Sequence, residues 1–144
     1  MAGWFETYRG VIFPWNCDFY GHMNVRWYAH HFDDAGFHLW TMAGIPQTAM
    51  RDRGVFSVVA TTKTDFVHEM RVGELLVVKS AFVHIGNKSL RHVQRMYNAD
   101  TGTLCAGQDT VEVFFDPKAR KSMPMPDFVR TTLQPHLVAP DSEP

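Results

Sequence analysis

Apolar residues recur at helical spacing in one stretch of the chain. They follow one another at intervals of four, three, four and three residues, at Tyr28, Phe32, Ala35, Leu39 and Met42. This spacing predicts an amphipathic helix of about five turns. Asn24 suits its N-cap, and Gly44 with Pro46 provides a stop signal. Gly36, in mid-helix, predicts a close approach to a sheet or to a neighbouring subunit.

The segments on either side of this helix favour β-structure. β-branched and aromatic residues predict a first strand at Tyr8–Trp15, ending at Pro14. After a polar connector around Arg51–Gly54, four strand-like runs follow, at Val55–Val67, Glu74–Ile85, Ser89–Asn98 and Thr103–Phe115. Short turn signals separate these runs, which makes neighbouring strands antiparallel. We therefore predict an α+β domain of about five strands, in the order βαββββ, whose sheet curls around one long central helix.

The chain is predicted to be one domain followed by a tail. Its 144 residues are enough for a single core. Proline content rises after Pro117, and the last residues, A-P-D-S-E-P, have the composition of a frayed end. The domain is assigned to residues 1–130 and the tail to residues 131–144.

Composition narrows the class of protein. With 45% hydrophobic and 20% charged residues and a formal net charge of −1, the chain lacks the basic character of a nucleic-acid binder. The two cysteines, Cys17 and Cys105, have no metal spacing and are expected to be free thiols. The sequence shows no signal peptide and no apolar run of the roughly 20 residues that span a bilayer. We expect a cytoplasmic protein.

The turn before the predicted helix carries the candidate chemistry. Asp18 stands in a short polar segment, Gly21 permits a positive φ angle, and Asn24 begins the helix. Asp18–Val25 reads D-F-Y-G-H-M-N-V, and Tyr28, Phe32 and D-D-A at 33–35 follow. This run resembles the motif D-x-x-G-H-V-N-N-x-x-Y-x-x-x-F-E-E-A of hotdog-fold acyl-CoA thioesterases, in the 4-hydroxybenzoyl-CoA thioesterase-like family. Looser matches continue to about residue 130. Val25 departs from the motif, which usually has a second asparagine at this position.

The resemblance implies roles for the residues of the motif. Asp18 would attack the thioester or activate a water, and the backbone N–H of Val25 would hold the thioester oxygen. A helix N-terminus supplies such free donors. Asn24 and His22 would support the turn or position a water, with Gly21 and Tyr28 beside the substrate. The simpler alternatives are that Asp18 only caps the turn and that His22 has only a structural role.

The resemblance also implies how the substrate is held. Lys88, Ser89 and Arg91 lie in a predicted hairpin that matches a region contacting the nucleotide part of coenzyme A, although a solvated turn is the plain alternative. Coenzyme A is part of the substrate, and no other cofactor is expected. Hotdog sites are shared between subunits, so a homodimer or homotetramer is expected. The aromatic residues near the motif are first of all core and interface residues. The more specific interpretation of these aromatic residues is a pocket for a compact, aromatic or betaine-type acyl group.

Three other functions stay open at this stage. A non-catalytic hotdog module would bind acyl-CoA without needing the Asp18 carboxylate. A hotdog dehydratase would need a stretch of the type H-x-x-x-x-P-G, which we do not find. A metal protein would use His30, Asp34 and His38, which share one helix face. The resembled family uses no metal, and no metal is predicted.

Overall fold

The computed structural model describes residues 3–144. Its helices and strands are, in chain order, β1 (Phe5–Val11), α1 (Val25–Met42), α2 (Gln47–Asp52), β2 (Phe56–Phe66), β3 (Leu75–Ile85), β4 (Ser89–Asn98), β5 (Leu104–Asp116), β6 (Lys121–Ser122) and α3 (Asp127–Leu133). Single 3-10 turns lie at Pro14–Asn16 and Gln134–His136. The predicted order βαββββ is therefore incomplete. It omitted α2, β6 and α3, which are too short to show a clear hydrophobic period.

All strand pairs are antiparallel, as the short connections predict. The sheet has the spatial order β1-β3-β4-β5-β2, and β6 pairs with the end of β5. Chain order and spatial order differ, because β2 crosses to the far edge and pairs with β5. β1 and β2 are thus the two edge strands.

The first strand lies earlier in the chain than predicted. It covers Phe5–Val11, whereas the sequence pattern placed it at Tyr8–Trp15. Pro14 has no N–H for a strand ladder, and it instead begins the 3-10 turn Pro14–Asn16. The side chain of Asn16 accepts a hydrogen bond from the Phe13 N–H at 2.8 Å. The motif segment therefore follows a fixed turn and not a strand end.

Helix α1 begins and ends near its predicted limits. It spans 18 residues, and the Asn24 side chain caps it by accepting from the Arg26 N–H at 3.2 Å. The predicted apolar stripe is buried except for Met42, which is 46% exposed because the helix ends there. Ala43 and Ile45 continue the buried surface beyond the helix.

The core on the helix side of the sheet consists of two apolar clusters. The first, near the start of α1, comprises Ile12, Met23, Tyr28, Phe32, Ala35, Met70, Leu76, Val78, Met96, Cys105 and Ala106. The second, near its end, comprises Leu39, Trp40, Ala43, Ile45, Met50, Val55, Phe82, Leu90, Phe114, Met125, Val129 and Leu133. Each fully buried large apolar side chain stabilises the fold by about 1.5–3 kcal/mol. These clusters fix α1 to the sheet at both of its ends.

The C-terminal residues pack against the sheet and are not frayed. The Val138 N–H bonds the carbonyl of Phe82 at 3.1 Å, and the Arg95 guanidinium bonds the carbonyl of Ser142 at 2.8 Å. Ser142 also accepts a hydrogen bond from the indole of Trp4 at 3.0 Å. Helix α3 runs across residue 130, where the sequence divided domain from tail. The segment covers a third apolar cluster, which includes Ala81, Val83 and Val93.

Candidate active site

Asp18 lies in a tight turn that its own backbone and side chain stabilise. The Asp18 N–H bonds the His22 carbonyl at 2.9 Å, and the Gly21 N–H bonds the Asp18 carbonyl at 3.0 Å. One carboxylate oxygen, Oδ1, accepts from the Tyr20 N–H at 2.9 Å. Gly21 has φ 79°, a left-handed angle that favours glycine. The second carboxylate oxygen accepts no hydrogen bond within the described residues.

The turn is attached to the N-terminus of α1 and to the connector before β3. Cys17 forms an antiparallel bridge with Met23, and the Asn24 N–H bonds the Asn16 carbonyl at 2.8 Å. The Met23 N–H bonds the carbonyl of Met70 at 2.7 Å. Asp18 and the first residue of α1 therefore lie on one hairpin-like segment, which backbone hydrogen bonds hold in place.

The first residue of α1 offers a free backbone donor. Val25 follows the N-cap directly, and in residues 3–144 its N–H has no hydrogen-bond acceptor. Its side chain is 63% exposed, so solvent or a ligand reaches this helix end. The Asn24 oxygen is already used by the N–H and the Nε of Arg26, at 3.2 and 3.1 Å. Asn24 therefore acts as the N-cap of α1, as the sequence pattern predicts.

The neighbouring motif residues differ in environment. Nδ1 of His22 lies 3.4 Å from a carboxylate oxygen of Glu69, and the ring faces Tyr20. Tyr28 is 5% exposed and packs edge-to-face on Phe66, so it is a core residue. Burial raises the pKa of the Tyr28 hydroxyl.

Cys17 adjoins Asp18 but is not set up as a nucleophile. Burial raises the pKa of its thiol, and the charge of the Asp18 carboxylate raises it further. A raised pKa keeps the sulfur protonated, which is the opposite of what a nucleophilic cysteine needs. Of the two groups, Asp18 is the better placed for chemistry.

Lys88, Ser89 and Arg91 lie at the other end of the sheet from Asp18. The Asp18 turn bonds the connector before β3, whereas Lys88 follows the end of that strand. The eleven residues of β3 correspond to about 35 Å at about 3.3 Å per residue. The Arg91 guanidinium is held by two hydrogen bonds to Asp109, at 2.7 and 2.5 Å. A single chain does not bring this hairpin to Asp18.

A cavity of about 520 Å³ lies between α1 and the inner face of the sheet. Sequence reasoning missed it. Seven of its lining residues are polar side chains from β2, β4 and β5, which we call the polar patch: Ser57, Thr62, His92, Gln94, Gln108, Thr110 and Glu112. Asp33, Gly36 and Trp40 line it from the helix side. Its volume is within the usual range for small-molecule sites.

Glu112 is the centre of a buried hydrogen-bond network in the polar patch. Its carboxylate accepts from His92 Nε2 at 2.9 Å, from the Trp40 indole at 3.1 Å and from the Ser57 hydroxyl at 2.9 Å. Burial alone would raise the pKa of Glu112, but these three hydrogen bonds outweigh it and lower the pKa. Glu112 is therefore an ionised carboxylate with its acceptors in use.

The histidine stripe of α1 does not form a metal-binding cluster. His30 Nε2 lies 3.3 Å from an Asp34 oxygen, but His38 lines a separate shallow pocket with residues of β1. Across residues 3–144, no group of three or more His, Cys, Asp or Glu side chains has the geometry to hold a metal ion. The metal-protein hypothesis has no support in this part of the chain.

The family of the chain is shown by comparison with known sequences. A sequence model of the thioesterase-like superfamily matches residues 12–133. The chain belongs to this superfamily, and it is a thioester hydrolase of the hotdog class, as its motif predicts. A search of curated proteins finds no match.

Solved structures with the same fold are distant in sequence. The 1,4-dihydroxy-2-naphthoyl-CoA thioesterase of Synechocystis has a TM-score of 0.78 at 16% identity, over 90% of this chain and 95% of that one. The probable thioesterase YbaW of Escherichia coli gives 0.79 at 18%, over 93% and 100%. A Staphylococcus aureus protein in complex with CoA gives 0.83 at 15%, over 94% and 84%. Separately, no helix within residues 3–144 is long and apolar enough to cross a membrane.

Proposed function

We propose that the protein hydrolyses an acyl-CoA thioester to the free acid and CoA at the Asp18 turn. One observation carries this proposal. The Asp18 carboxylate has one oxygen that accepts no hydrogen bond, the Val25 N–H at the start of α1 has no acceptor, and both groups lie on the same short segment. The known hotdog structures named above include a CoA thioesterase and a CoA complex, which supports a CoA ester as substrate.

The chemistry follows from the charge that develops in the reaction. The Asp18 carboxylate either attacks the thioester carbon itself or removes a proton from an attacking water. In both cases the carbonyl oxygen becomes negative. The Val25 N–H at the positive end of the α1 dipole stabilises that oxygen, and CoA leaves as the thiolate, which takes up a proton. When Asp18 attacks directly, water then hydrolyses the anhydride between Asp18 and the acyl group, which releases the free acid and restores the carboxylate. His22 and Asn24 hold the turn, and the reaction needs no cofactor beyond the CoA that arrives with the substrate.

The proposed site is completed by a second copy of the chain. The β2 edge carries exposed apolar side chains, among them Val58, Val59 and Phe66. A long apolar edge strand is a template for pairing with another strand. Trp15 and Phe19, on the Asp18 turn, are also exposed, at 67% and 90%. In an oligomer, Lys88, Ser89 and Arg91 of a second copy are available to the nucleotide of the CoA.

The experiment compares Asp18→Asn with a matched control over a panel of acyl-CoA esters. The control, Asp52→Asn, removes an exposed carboxylate on α2 that only faces Arg51. We expect Asp18→Asn to lower kcat by about 100-fold or more, the usual contribution of a positioned acid or base. The Asp52→Asn variant should match the wild type.

Two outcomes would contradict the proposal. If Asp18→Asn cleaves an ester as fast as the wild type, Asp18 is not the reactive group. If no ester on a broad panel is cleaved although CoA esters bind, the chain is the non-catalytic acyl-CoA-binding module, the second candidate function. Light scattering on the purified protein tests the oligomer, and a monomer would contradict a shared site.

A further inference from the structure

Arg26, the second residue of α1, folds its side chain back toward the start of the helix. Its backbone N–H donates to Asn24 Oδ1 at 3.2 Å, and its Nε donates to the same oxygen at 3.1 Å. Because both bonds end on one atom of the N-cap, the guanidinium is held at this helix end. Val25, whose N–H is the proposed oxyanion donor, stands between the two bonded residues. The guanidinium and the Val25 N–H therefore belong to the same end of α1.

Most of the hydrogen-bonding capacity of this guanidinium is unused. A guanidinium has five N–H donors and no acceptor, and within residues 3–144 only the Nε–H of Arg26 has a partner. No carboxylate of these residues forms an ion pair with Arg26, and this includes Asp18 on the neighbouring turn. The side chain is exposed and borders the cavity between α1 and the sheet. A substrate at the turn therefore has access to the remaining donors.

The cation stands where the helix itself disfavours a cation. The macrodipole of a helix carries partial positive charge at its N-terminus, so a cationic side chain there is repelled. The first turn of α1 contains no acidic residue that would offset this charge. Arg26 is thus an uncompensated cation beside the proposed reaction, in which negative charge develops on an oxygen.

The backbone at this helix start provides one free donor. The Asn24 N–H donates to the Asn16 carbonyl, the Arg26 N–H to the Asn24 side chain and the Trp27 N–H to the Asn24 carbonyl. In this run of residues, Val25 alone keeps an unused N–H. Oxyanion holes combine backbone N–H groups with side-chain donors. A second donor at this place therefore has to come from a side chain.

We propose that the Arg26 guanidinium is this second donor and that it bonds the thioester oxygen together with the Val25 N–H. This inference rests on the proposed function and adds a catalytic residue to its site. When the thioester carbon is attacked, the π electron pair of the carbonyl moves to the oxygen, where both donors stabilise it. The pair returns to the carbonyl as CoA leaves. Arg26 transfers no proton, so the balance of the reaction is unchanged.

The position of Arg26 favours the thioester over the phosphates of CoA as its partner. The phosphates lie at the far end of the pantetheine arm from the sulfur, whereas the guanidinium is tied to the N-cap beside Val25. A donor for the developing oxyanion acts in the transition state, so its loss lowers kcat. A phosphate ligand acts on the bound ester as well, so its loss raises KM.

The experiment measures kcat and KM of Arg26→Gln on the CoA ester that the wild type cleaves fastest. We expect kcat to fall by about 10- to 100-fold, and kcat/KM by the same factor. Arg26→Lys keeps the charge but loses the planar fork, so its loss should be smaller. The control is Arg51→Gln, because Arg51 is exposed on α2 and faces only Asp52. Circular dichroism and thermal unfolding check that all three variants are folded.

Two further measurements separate an oxyanion donor from other roles of a cation. The matching acyl-pantetheine ester has no nucleotide and no phosphate, and Arg26→Gln should lose the same factor on it. A loss confined to the CoA ester, or to KM, would overturn the assignment. In Arg26→Ala, added guanidinium ion should restore kcat by about tenfold or more, whereas Arg51→Ala should not respond. A purely structural role of Arg26 would not be rescued in this way.

The Asp18→Asn variant separates this inference from the proposed function. If Asp18→Asn is inactive while folded Arg26→Gln and Arg26→Ala keep the wild-type kcat, the assignment of Arg26 is overturned and the thioesterase proposal holds. If Asp18→Asn is fully active while Arg26→Ala is inactive and rescued by guanidinium, Asp18 is not the reactive group and the assignment of Arg26 holds. If the wild type cleaves no ester, both are wrong.

Discussion

The Asp18 turn and the polar cavity are built in opposite ways. The turn is one contiguous segment, and its backbone hydrogen bonds join residues that are close in the sequence. Its surface is apolar and exposed, and the Phe19 side chain is 90% exposed. The cavity is assembled from α1, β2, β4 and β5, and most side chains on its sheet side are polar, with His92, Gln94, Thr110 and Glu112 buried. The proposed reaction takes place at the turn, and none of its steps uses a residue of the polar patch. Variants in the two regions should therefore have different kinetic signatures.

The largest effect is expected from removing the backbone donor at the helix start. Val25 is the first residue of α1, a position that proline tolerates in helices. Asn24 has φ −72° and ψ 148°, the extended backbone that a following proline requires. Val25→Pro should keep the helix and delete the proposed oxyanion donor. We expect kcat to fall by about 100- to 1,000-fold for all esters alike.

A matched variant isolates the N–H. Val25→Ala removes the side chain but keeps the donor, so its kcat should stay near that of the wild type. Circular dichroism and thermal unfolding of both variants check that α1 is intact. A folded Val25→Pro protein with full activity would show that the oxyanion is stabilised elsewhere.

The turn, the helix and most of the sheet could be predicted because their signals are local. The N-cap Asn24 and the stop at Gly44 and Pro46 delimit α1 in the sequence, and short turn residues separate the antiparallel strands. The errors fell on the short elements α2, β6 and α3, on the bounds of β1 and on the C-terminal residues, which pack against the sheet. The six-residue α2 has too few turns for a hydrophobic period, and only its last two residues fall in the predicted polar connector around Arg51–Gly54.

The cavity could not be predicted because it depends on register. The alternation of Leu90, His92, Gln94 and Met96 is visible in the sequence, but β4 also has arginines at Arg91 and Arg95 on its other face. With polar residues on both faces, period 2 does not decide which face points inward. Register between β2 and β5 shifts between Val59 and Thr61, which no local pattern indicates.

The second-largest effect is expected on the free energy of unfolding. It comes from His31, a buried histidine that belongs to neither the Asp18 turn nor the polar patch. His31 is 4% exposed, and burial, with a smaller contribution from the charge of His30, lowers its pKa from 6.5 to about 4. Below pH 6.5 the unfolded chain binds a proton that the folded chain refuses, so stability falls as pH decreases from 6.5 to about 4. Between pH 7 and pH 5 this histidine should reduce the free energy of unfolding by about 2 kcal/mol.

Urea unfolding at the two pH values measures this effect. In His31→Phe the difference between pH 7 and pH 5 should shrink by about that 2 kcal/mol, even though the variant also loses the hydrogen bond between His31 and Tyr8. His84→Phe, at an exposed site, should keep the wild-type difference. Equal pH dependence in wild type and His31→Phe would contradict burial of a neutral ring.

The smallest effect is expected at Gly36, and it tests whether the cavity is open space in the working protein. Gly36 is helical without a positive φ, and an added Cβ meets nothing within 4 Å, so Gly36→Ala should stabilise the fold by about 0.5–1 kcal/mol. Gly54→Ala is the matched control. Its Cβ also meets open space, but the φ of 67° makes the substitution strained and destabilising. A destabilised Gly36→Ala would mean that a second copy of the chain fills this space, because nothing in the same chain does.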